Sequence, residues 1–458
     1  MPFEDEFAHY KPLKRIAESE QVKSLLSRAR TQIDTSNILT LSPLTSDNLK
    51  PSNWLPDLVL AVDGSMAEVP VKNGYPSASV GYVTVASVLL DVAKMIQLDA
   101  QRPVDPKEFR TIENAEAVDG ALPGCNVVVD NERNAKDSFR RALYELFQSK
   151  RMAETSENIL ETYQALLKHK PPDEQKCPYE EDCLYPDKSF QRGMDEYTCG
   201  CSHARSLFST DSLRIHEFMN PEGSNQSMLT ETMSSLERIW IIHVLRTLEK
   251  ENLLPILKRM AIVLDGPLAV FGAPAWLSNA IRTELQRLNK AARVALADET
   301  FNILWIGIEK TGNFVDHFLQ LDLGPKGEAN YLPKQSVMLL TDPYIKQRII
   351  FSKSPAQYGR NTYFGRKAFY KASSGSLIVF QTPFLNNNDD DLQTAKLEQF
   401  PRLIDAMNLL DKLVSARYRN SVTPLISAHA EAAIPFNLGK NVLEKLAKQL
   451  MSEAKKKV

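Results

Sequence analysis

The chain has 458 residues and a formal net charge of −2, with 43% hydrophobic and 24% charged residues. These are the proportions of an ordinary globular protein, and they exclude a uniformly basic nucleic-acid coat while leaving room for a local basic groove. No apolar run reaches the roughly 18 residues of a membrane span, and the polar, acidic N-terminus does not resemble a secretory signal. We therefore expect a cytoplasmic protein of two or three modules that does not enter a membrane.

The first part of the chain predicts a helical segment followed by strands. Residues 1–50 contain an amphipathic helical pattern from Tyr10 to about Ile33 and then a linker rich in serine, threonine and proline. Apolar and β-branched runs at Leu58–Val62 and Ala78–Val92 predict two strands joined as a hairpin.

The middle of the chain predicts helices interrupted by an insertion. Residues 134–169 have apolar positions at helical spacing, whereas residues 171–225 are polar, contain proline and cysteine, and are predicted to be an insertion. The clearest helical pattern is Met228–Arg259.

The C-terminal half alternates strands and helices. An apolar strand runs into Asp265, a helix starts near Pro274, and a third buried strand covers Phe301–Gly312. Four β-like runs follow ("SVMLLTD", "RIIFSK", "YFGRKAFYKA" and "SLIVFQTPF"), then an exposed loop, "NNNDDD", and two terminal helices. This mixture predicts an α/β or α+β core.

Two aspartates recur in one local setting. Asp63 in "LVLAVDGS" and Asp265 in "IVLDGPL" each follow an apolar run and precede a glycine. A single Asp-Gly pair is ordinary turn chemistry, but open α/β sheets also place their sites at the carboxyl ends of strands. Glu237, in the helix "LERIW", lies at the edge of an apolar face, where it is either a solvated flank or directed towards the aspartates.

Clustered carboxylates repel one another unless a cation neutralises them, and Mg²⁺ and Mn²⁺ prefer oxygen ligands. Two such ions are the usual arrangement for in-line attack on a phosphodiester. His429, in "TPLISAHAEAAIPF", follows an apolar run; a lone histidine in this setting is more often structural than a ligand.

These features, taken in their order along the chain, resemble the NurA nuclease family over roughly residues 55–435. They are the strand ending at Asp63, the glutamate of "LERIW", the strand ending at Asp265 and the "AH" of His429. The resemblance implies a ribonuclease H-like, Piwi-related mixed sheet flanked by helices. It also implies a homodimer that acts on DNA with a hexameric HerA ATPase, in DNA-end processing or anti-phage defence. Carried over by position, Asp63, Glu237, Asp265 and His429 would bind the catalytic Mn²⁺ or Mg²⁺.

The chain departs from the family pattern at one position. The family usually has a tyrosine eight residues before the histidine, and this chain has Ser421 there, with Tyr418 nearby. The departure leaves open a weakened activity. The expected organisation is an N-terminal segment (1–50), a nuclease domain (51–435) containing the insertion (171–225), and a C-terminal helix (436–458).

A basic segment is a candidate DNA contact. From Pro343 to Asn388 the chain has no Asp or Glu, and its cations are interleaved with tyrosines. Such cations contact phosphates and aromatic rings stack on bases, although a β-hairpin surface with core aromatics would give the same pattern. The predicted DNA-binding residues are Lys346, Arg348, Arg360, Arg366, Lys367 and Lys371.

Four of the five cysteines lie between positions 177 and 201. Cys177, Cys183, Cys199 and Cys201 could hold a structural Zn²⁺ in the insertion, with His203 as a substitute ligand. Their spacing, C-x5-C and C-x-C, is also compatible with unconnected thiols.

These patterns predict a metal-dependent deoxyribonuclease. The alternative is a DNA-binding or regulatory subunit of a HerA-type ATPase complex with a degraded site.

Overall fold

The computed structural model describes most of the chain, which forms two compact units, Met1–Thr40 and Leu41–Val458. The described residues are 10–29, 39–45, 47–72, 77–94, 113–149, 151–152, 157–171, 177–179, 195–200, 205–324, 327, 329–386, 391–414, 422–434 and 438–456.

The first unit contains two short helices, α1 (Lys11–Glu18) and α2 (Glu20–Arg28), and neither buries a residue. Sequence periodicity predicts one continuous helix here, but Ser19 is extended and its hydroxyl accepts a hydrogen bond from the Val22 amide at 3.4 Å. Ser19 therefore ends one helix and caps the next.

The second unit is built on a mixed sheet with the strand order β3-β2-β1-β6-β7-β10-β9-β8. The first three strands are antiparallel neighbours, β1–β6 and β6–β7 are parallel pairs, and the remaining pairs are antiparallel. Two further strands, β4 and β5, form a separate small sheet. The strands are β1 Leu58–Lys72, β2 Ala78–Asp91, β3 Glu113–Pro123, β4 Glu196–Thr198, β5 Ser206–Phe208, β6 Met260–Asp265, β7 Trp305–Glu309, β8 Ser336–Leu339, β9 Gly365–Lys371 and β10 Leu377–Pro383.

Helices cover both faces of the mixed sheet. Those of the second unit are α3 Ala135–Ser149, α4 Ile159–Leu167, α5 Gln226–Lys250, α6 Leu277–Leu296, α7 Asn313–Leu323, α8 Asp342–Arg348, α9 Leu403–Leu413, α10 Thr423–Ala432 and α11 Leu438–Lys456. Short 3₁₀ helices at Ser209–Leu213, Ile215–Phe218, Leu254–Arg259, Ala273–Trp276 and Leu397–Gln399 connect them. No helix among these described segments is both long enough and apolar enough to cross a membrane.

Alternation along β1 shows which side chains face which layer. Leu60 and Val62 pack in one core with α3, α4, α5 and α6, whereas Val59 and Ala61 pack in a second core with α9 and α10. Because successive side chains of a strand point to opposite faces, each residue of β1 is assigned to one layer by its position. The predicted mixed sheet flanked by helices is confirmed.

Some predicted elements differ from those observed. The pattern missed β3, whose sequence "ENAEAVDGALP" has few β-branched or aromatic residues and is held as a strand by pairing with β2. The run "RIIFSK" is not a strand, because Arg348 ends α8, which Thr341 caps. Three helices, not two, are described after residue 391.

Candidate metal centre

Strand register brings Asp63 and Asp265 together. In the parallel pair β1–β6, Val62 lies opposite Leu264, so that Asp63 and Asp265 are the next residues on adjacent strands. Adjacent strands are about 4.8 Å apart, and both side chains belong to the face of Ala61 and Val263. The two aspartates are therefore side-by-side neighbours, as their matching sequence settings led us to expect.

The two Asp-Gly pairs differ in backbone structure. Gly266 has φ +109° and turns the chain after β6, as predicted. Gly64 does not turn, because β1 continues in register with β2 as far as Pro70 and, after a register shift, still pairs with it at Lys72. The prediction that Asp63 ends its strand is wrong, since pairing with the long β2 keeps the following polar residues extended.

Gly64 instead allows a helix to approach the sheet. A Cβ atom at this position would lie 2.6 Å from Glu237 Oε1 and 2.8 Å from Met233 Cγ, both on α5. Because a glycine has no Cβ, Glu237 reaches the strand beside Asp63 from the opposite helical layer. Glu237 is buried, with 3% of its surface exposed. Its helix thus directs it towards the aspartates rather than to solvent.

His429 completes the group from α10, which packs on the same face as the aspartates. Its Nδ1 lies 2.8 Å from Asp63 Oδ2, and the Gly64 amide donates to Asp63 Oδ1 at 2.8 Å. The His429 side chain is 65% exposed, whereas that of Asp63 is 8% exposed. Asp63 is therefore fixed on both oxygens, and His429 is the member of the group most open to solvent.

Two cations that the sequence reasoning did not include compensate the carboxylates. Lys310 Nζ is 2.5 Å from Asp265 Oδ2, and Arg238 is paired with its neighbour Glu237. Arg238 also donates to the carbonyls of Ser234 and Pro267 at 3.0 and 3.2 Å. Lys310 lies within the predicted strand Phe301–Gly312, and the observed strand β7 ends just before it, at Glu309. A search for charged residues at the end of an apolar run, the rule that selected Asp265, could therefore have included it.

Burial and mutual repulsion change the proton affinity of two carboxyls. Burial raises the pKa of Glu237 to about 8, an effect that Arg238 opposes and the charges of Asp63 and Asp265 reinforce. The pKa of Asp63 is raised by burial and by Asp265, against the influence of His429 and Lys310. Burial and the proximity of the other carboxyls thus both favour the neutral form of Asp63 and Glu237.

The donor set fits a divalent cation in its chemistry, although each of its carboxyl groups is paired with a nitrogen-bearing side chain. Within the described ranges, no three His, Cys, Asp or Glu side chains surround a common point suitable for a metal ion. Asp265 faces Lys310, Glu237 faces Arg238, and Asp63 faces His429. Three neighbouring carboxyl groups offer the oxygen ligands that Mg²⁺ and Mn²⁺ select. A shared cation would have to replace the Lys310 and Arg238 contacts.

The basic segment does not form one exposed DNA-facing surface. Arg366, Lys367 and Lys371 are buried in β9, with 2%, 5% and 0% of their surfaces exposed. Lys371 contacts Asp322 at 2.7 Å, Lys367 pairs with Glu309, and Arg366 donates to backbone carbonyls including Asp391 O at 2.8 Å. Burial and these partners leave the three side chains little exposed surface for a phosphate contact, a feature that the charges within the segment did not indicate.

The other three cations of the segment are more accessible. Arg360 is exposed, and Lys346 and Arg348 are partly exposed on α8. The Lys346 side chain is 14% exposed and lies 3.1 Å from Asp342. These three remain candidates for contact with a phosphate.

The described part of the insertion contains a small apolar cluster of its own. Cys177 and Cys199 pack in one small cluster with Tyr179, Tyr197 and Leu207. Cys183, Cys201 and His203 lie outside the described residues, as do Ser421, Tyr418 and most of the "NNNDDD" segment. The zinc prediction and the effect of Ser421 therefore stay predictions.

Comparison with known proteins assigns the family. The NurA domain model matches residues 57–434, which cover most of the chain and include all four candidate ligands. No curated protein matches the chain.

Two solved structures are similar over nearly their whole length. The crystal structure of the NurA nuclease from Sulfolobus solfataricus is 10% identical, with a TM-score of 0.35, and the match covers 98% of this chain and 99% of that one. A second NurA crystal structure is 10% identical with a TM-score of 0.32, over 97% and 98% of the two chains. The assignment itself rests on the family model: the chain belongs to the NurA nuclease family.

Proposed function

We propose that this protein is a divalent-metal-dependent DNA nuclease that hydrolyses phosphodiester bonds at the Asp63–Asp265 site. The observation that carries the proposal is the placing of these two aspartates on neighbouring parallel strands, where Glu237 approaches through the space that Gly64 leaves. Membership of the NurA family supports a nuclease reaction.

Each of the four side chains has a distinct part in the proposed site. Asp63, Glu237, Asp265 and His429 would hold Mn²⁺ or Mg²⁺, and the cation would neutralise charge on the attacked phosphodiester. Asp63 is already oriented by the Gly64 amide and by His429. His429, the most exposed of the four, would meet the substrate first.

The DNA would approach from the exposed side of this group. Arg360, and with it Lys346 and Arg348, would supply phosphate contacts that do not depend on sequence. Removing one such contact should lower DNA affinity and reduce the dependence of that affinity on salt.

The proposed partners are a second copy of this chain and a HerA-like hexameric ATPase, acting in DNA-end processing or anti-phage defence. They come from the family resemblance. Light scattering of the purified chain, alone and mixed with such an ATPase, tests both partners. A monomeric mass for the chain alone would rule out the homodimer, and a mixture that shows only the masses of the separate proteins would rule out the ATPase complex.

A structural Zn²⁺ held by Cys177, Cys183, Cys199 and Cys201 is proposed for the insertion. The packing of Cys177 and Cys199 in one cluster is compatible with it. Zinc content should fall in Cys177→Ser and Cys199→Ser variants but not in Cys125→Ser, a buried thiol elsewhere in the chain. Equal zinc content in all three would rule the site out.

The alternative, a regulatory subunit with a weakened site, draws on Ser421 at the usual tyrosine position. A cleavage assay with Mn²⁺ on wild type and Asp63→Ala separates the two functions, with thermal unfolding as a check that the variant folds. Cleavage by the wild type alone supports the nuclease. Cleavage that survives the substitution would refute this site, and no cleavage by either protein, with or without the ATPase, would favour the regulatory subunit.

A further inference from the structure

Lys310 occupies a defined position beside the proposed metal centre. It directly follows β7, whose residue Ile308 lies opposite Asp265 in the parallel pair β6–β7. Its ammonium group is 2.5 Å from Asp265 Oδ2, and it also lowers the pKa of Asp63. The side chains of Lys310 and Asp265 are 28% and 20% exposed. The contact therefore lies at the rim of the site, not in the core.

The two cations of the site differ in how firmly they are held. Arg238 is buried on α5 and bound to Glu237 and to two backbone carbonyls. Lys310 is not held by other groups in this way: among the described residues its ammonium group donates a hydrogen bond only to Asp265. A lysine is a compact charge on a flexible four-carbon chain, so its ammonium group can move several ångströms without backbone rearrangement. Lys310 is thus the cation that the site can exchange.

We propose that Lys310 is an exchangeable counter-cation of the site. It pairs with Asp265 before the divalent ion binds and competes with that ion for the carboxylate. Once displaced, its ammonium group contacts a non-bridging oxygen of the DNA phosphate. The inference rests on the proposed metal-dependent function. Its physical basis is that one Asp265 oxygen cannot keep a full contact with Lys310 while it binds a divalent cation. The displaced ammonium group remains at the rim, where a phosphate would arrive.

Competition predicts that removing the lysine charge strengthens metal binding. Lys310→Met keeps an unbranched side chain but has no charge, and we expect it to bind Mn²⁺ about two- to tenfold more tightly than the wild type. Electron paramagnetic resonance of free Mn²⁺ measures this without any turnover. Lys290→Met, an exposed lysine of α6, makes the same change in net charge and should leave the affinity unchanged.

The outcomes distinguish this inference from the function on which it rests. If the wild type binds Mn²⁺ and Lys310→Met binds it equally or more weakly, the counter-cation role is wrong while the nuclease proposal stands. If the wild type does not bind Mn²⁺, both fail. If Lys290→Met binds Mn²⁺ as much more tightly as Lys310→Met does, the gain in affinity comes from the change in net charge. That result would also overturn the counter-cation role of Lys310.

The second half of the proposal concerns DNA. With saturating Ca²⁺ in place of Mn²⁺, to slow cleavage of an unmodified single strand, Lys310→Met should bind the strand several-fold more weakly, and Lys310→Arg should restore most of the affinity. Fluorescence anisotropy measures both. Unchanged binding by Lys310→Met would contradict the phosphate contact.

Discussion

At Gly64, the absence of one methyl group lets a helix carboxylate reach the sheet. A Cβ atom at this position would lie well inside the van der Waals contact distance of Glu237 and Met233. Gly64→Ala should therefore push α5 away from β1 and destabilise the protein by about 1–3 kcal/mol. Urea unfolding measures the change. Ser65→Ala, in the next position of the same strand, loses only a 3.3 Å hydrogen bond from the Ile434 amide and should cost less. Equal losses would show that Gly64 has no special role.

Glu237 makes stability depend on pH. Its pKa is raised to about 8 in the folded protein, mainly by burial, from an ordinary value of 4.5. A carboxyl with a raised folded-state pKa contributes stability that is complete below about pH 4.5 and is lost as the pH rises through about 8. In EDTA, Glu237→Gln should therefore be more stable than the wild type at pH 8, on the order of 2–4 kcal/mol, and nearly equal to it at pH 5.

Denaturant titrations at several pH values test this expectation for Glu237. A difference between variant and wild type that does not change between pH 5 and pH 8 would contradict it. Asp63 is not a clean control, because its hydrogen bond to His429 would be lost together with its charge.

At the scale of elements, the end of β6 could be predicted from the sequence, but the end of β1 and the partners of charged residues could not. Asp265 follows an apolar run and precedes a turn-forming glycine, so the local sequence pattern was sufficient to predict where β6 ends. The continuation of β1 beyond Asp63 depends on β2, and the burial of Lys371 depends on Asp322, far away in sequence. A count of charges along one segment does not include such distant partners.

The insertion is joined to α3 by a buried ion pair. Arg140 Nε and Nη2 lie 2.7 and 2.5 Å from the Asp211 carboxylate, and the two side chains are 2% and 1% exposed. Asp211→Asn should destabilise the protein by about 3 kcal/mol because the buried arginine charge then keeps only Asp137, at 3.2 Å, as a carboxylate partner.

An exposed pair provides the matched control for Asp211→Asn. Glu217 contacts Arg214 at 2.6 Å, but the side chains are 38% and 28% exposed. Glu217→Gln should therefore cost less than about 1 kcal/mol. Comparable losses in the two variants, measured by thermal or urea unfolding, would refute the view that the buried pair attaches the insertion.

At the scale of the whole molecule, the sheet order explains why four residues spread over most of the chain form one site. β1 and β6 are neighbours although nearly 200 residues separate them in sequence, α5 precedes β6, and α10 returns to the same face. The sequence motifs identified these four positions through a family pattern. The salt bridges that neutralise them, from Lys310 and Arg238, follow only from the folded chain.

The central claim is that Asp265 and its neighbours form a metal-dependent phosphodiesterase site. Its most direct test is the cleavage of a linear DNA by the full chain, wild type and Asp265→Asn, in Mn²⁺ and in EDTA. The account predicts cleavage by the wild type in Mn²⁺, its loss in EDTA, and a fall of about 100-fold or more in Asp265→Asn. Wild-type cleavage that persists in EDTA, or an Asp265→Asn variant as active as the wild type, would contradict it.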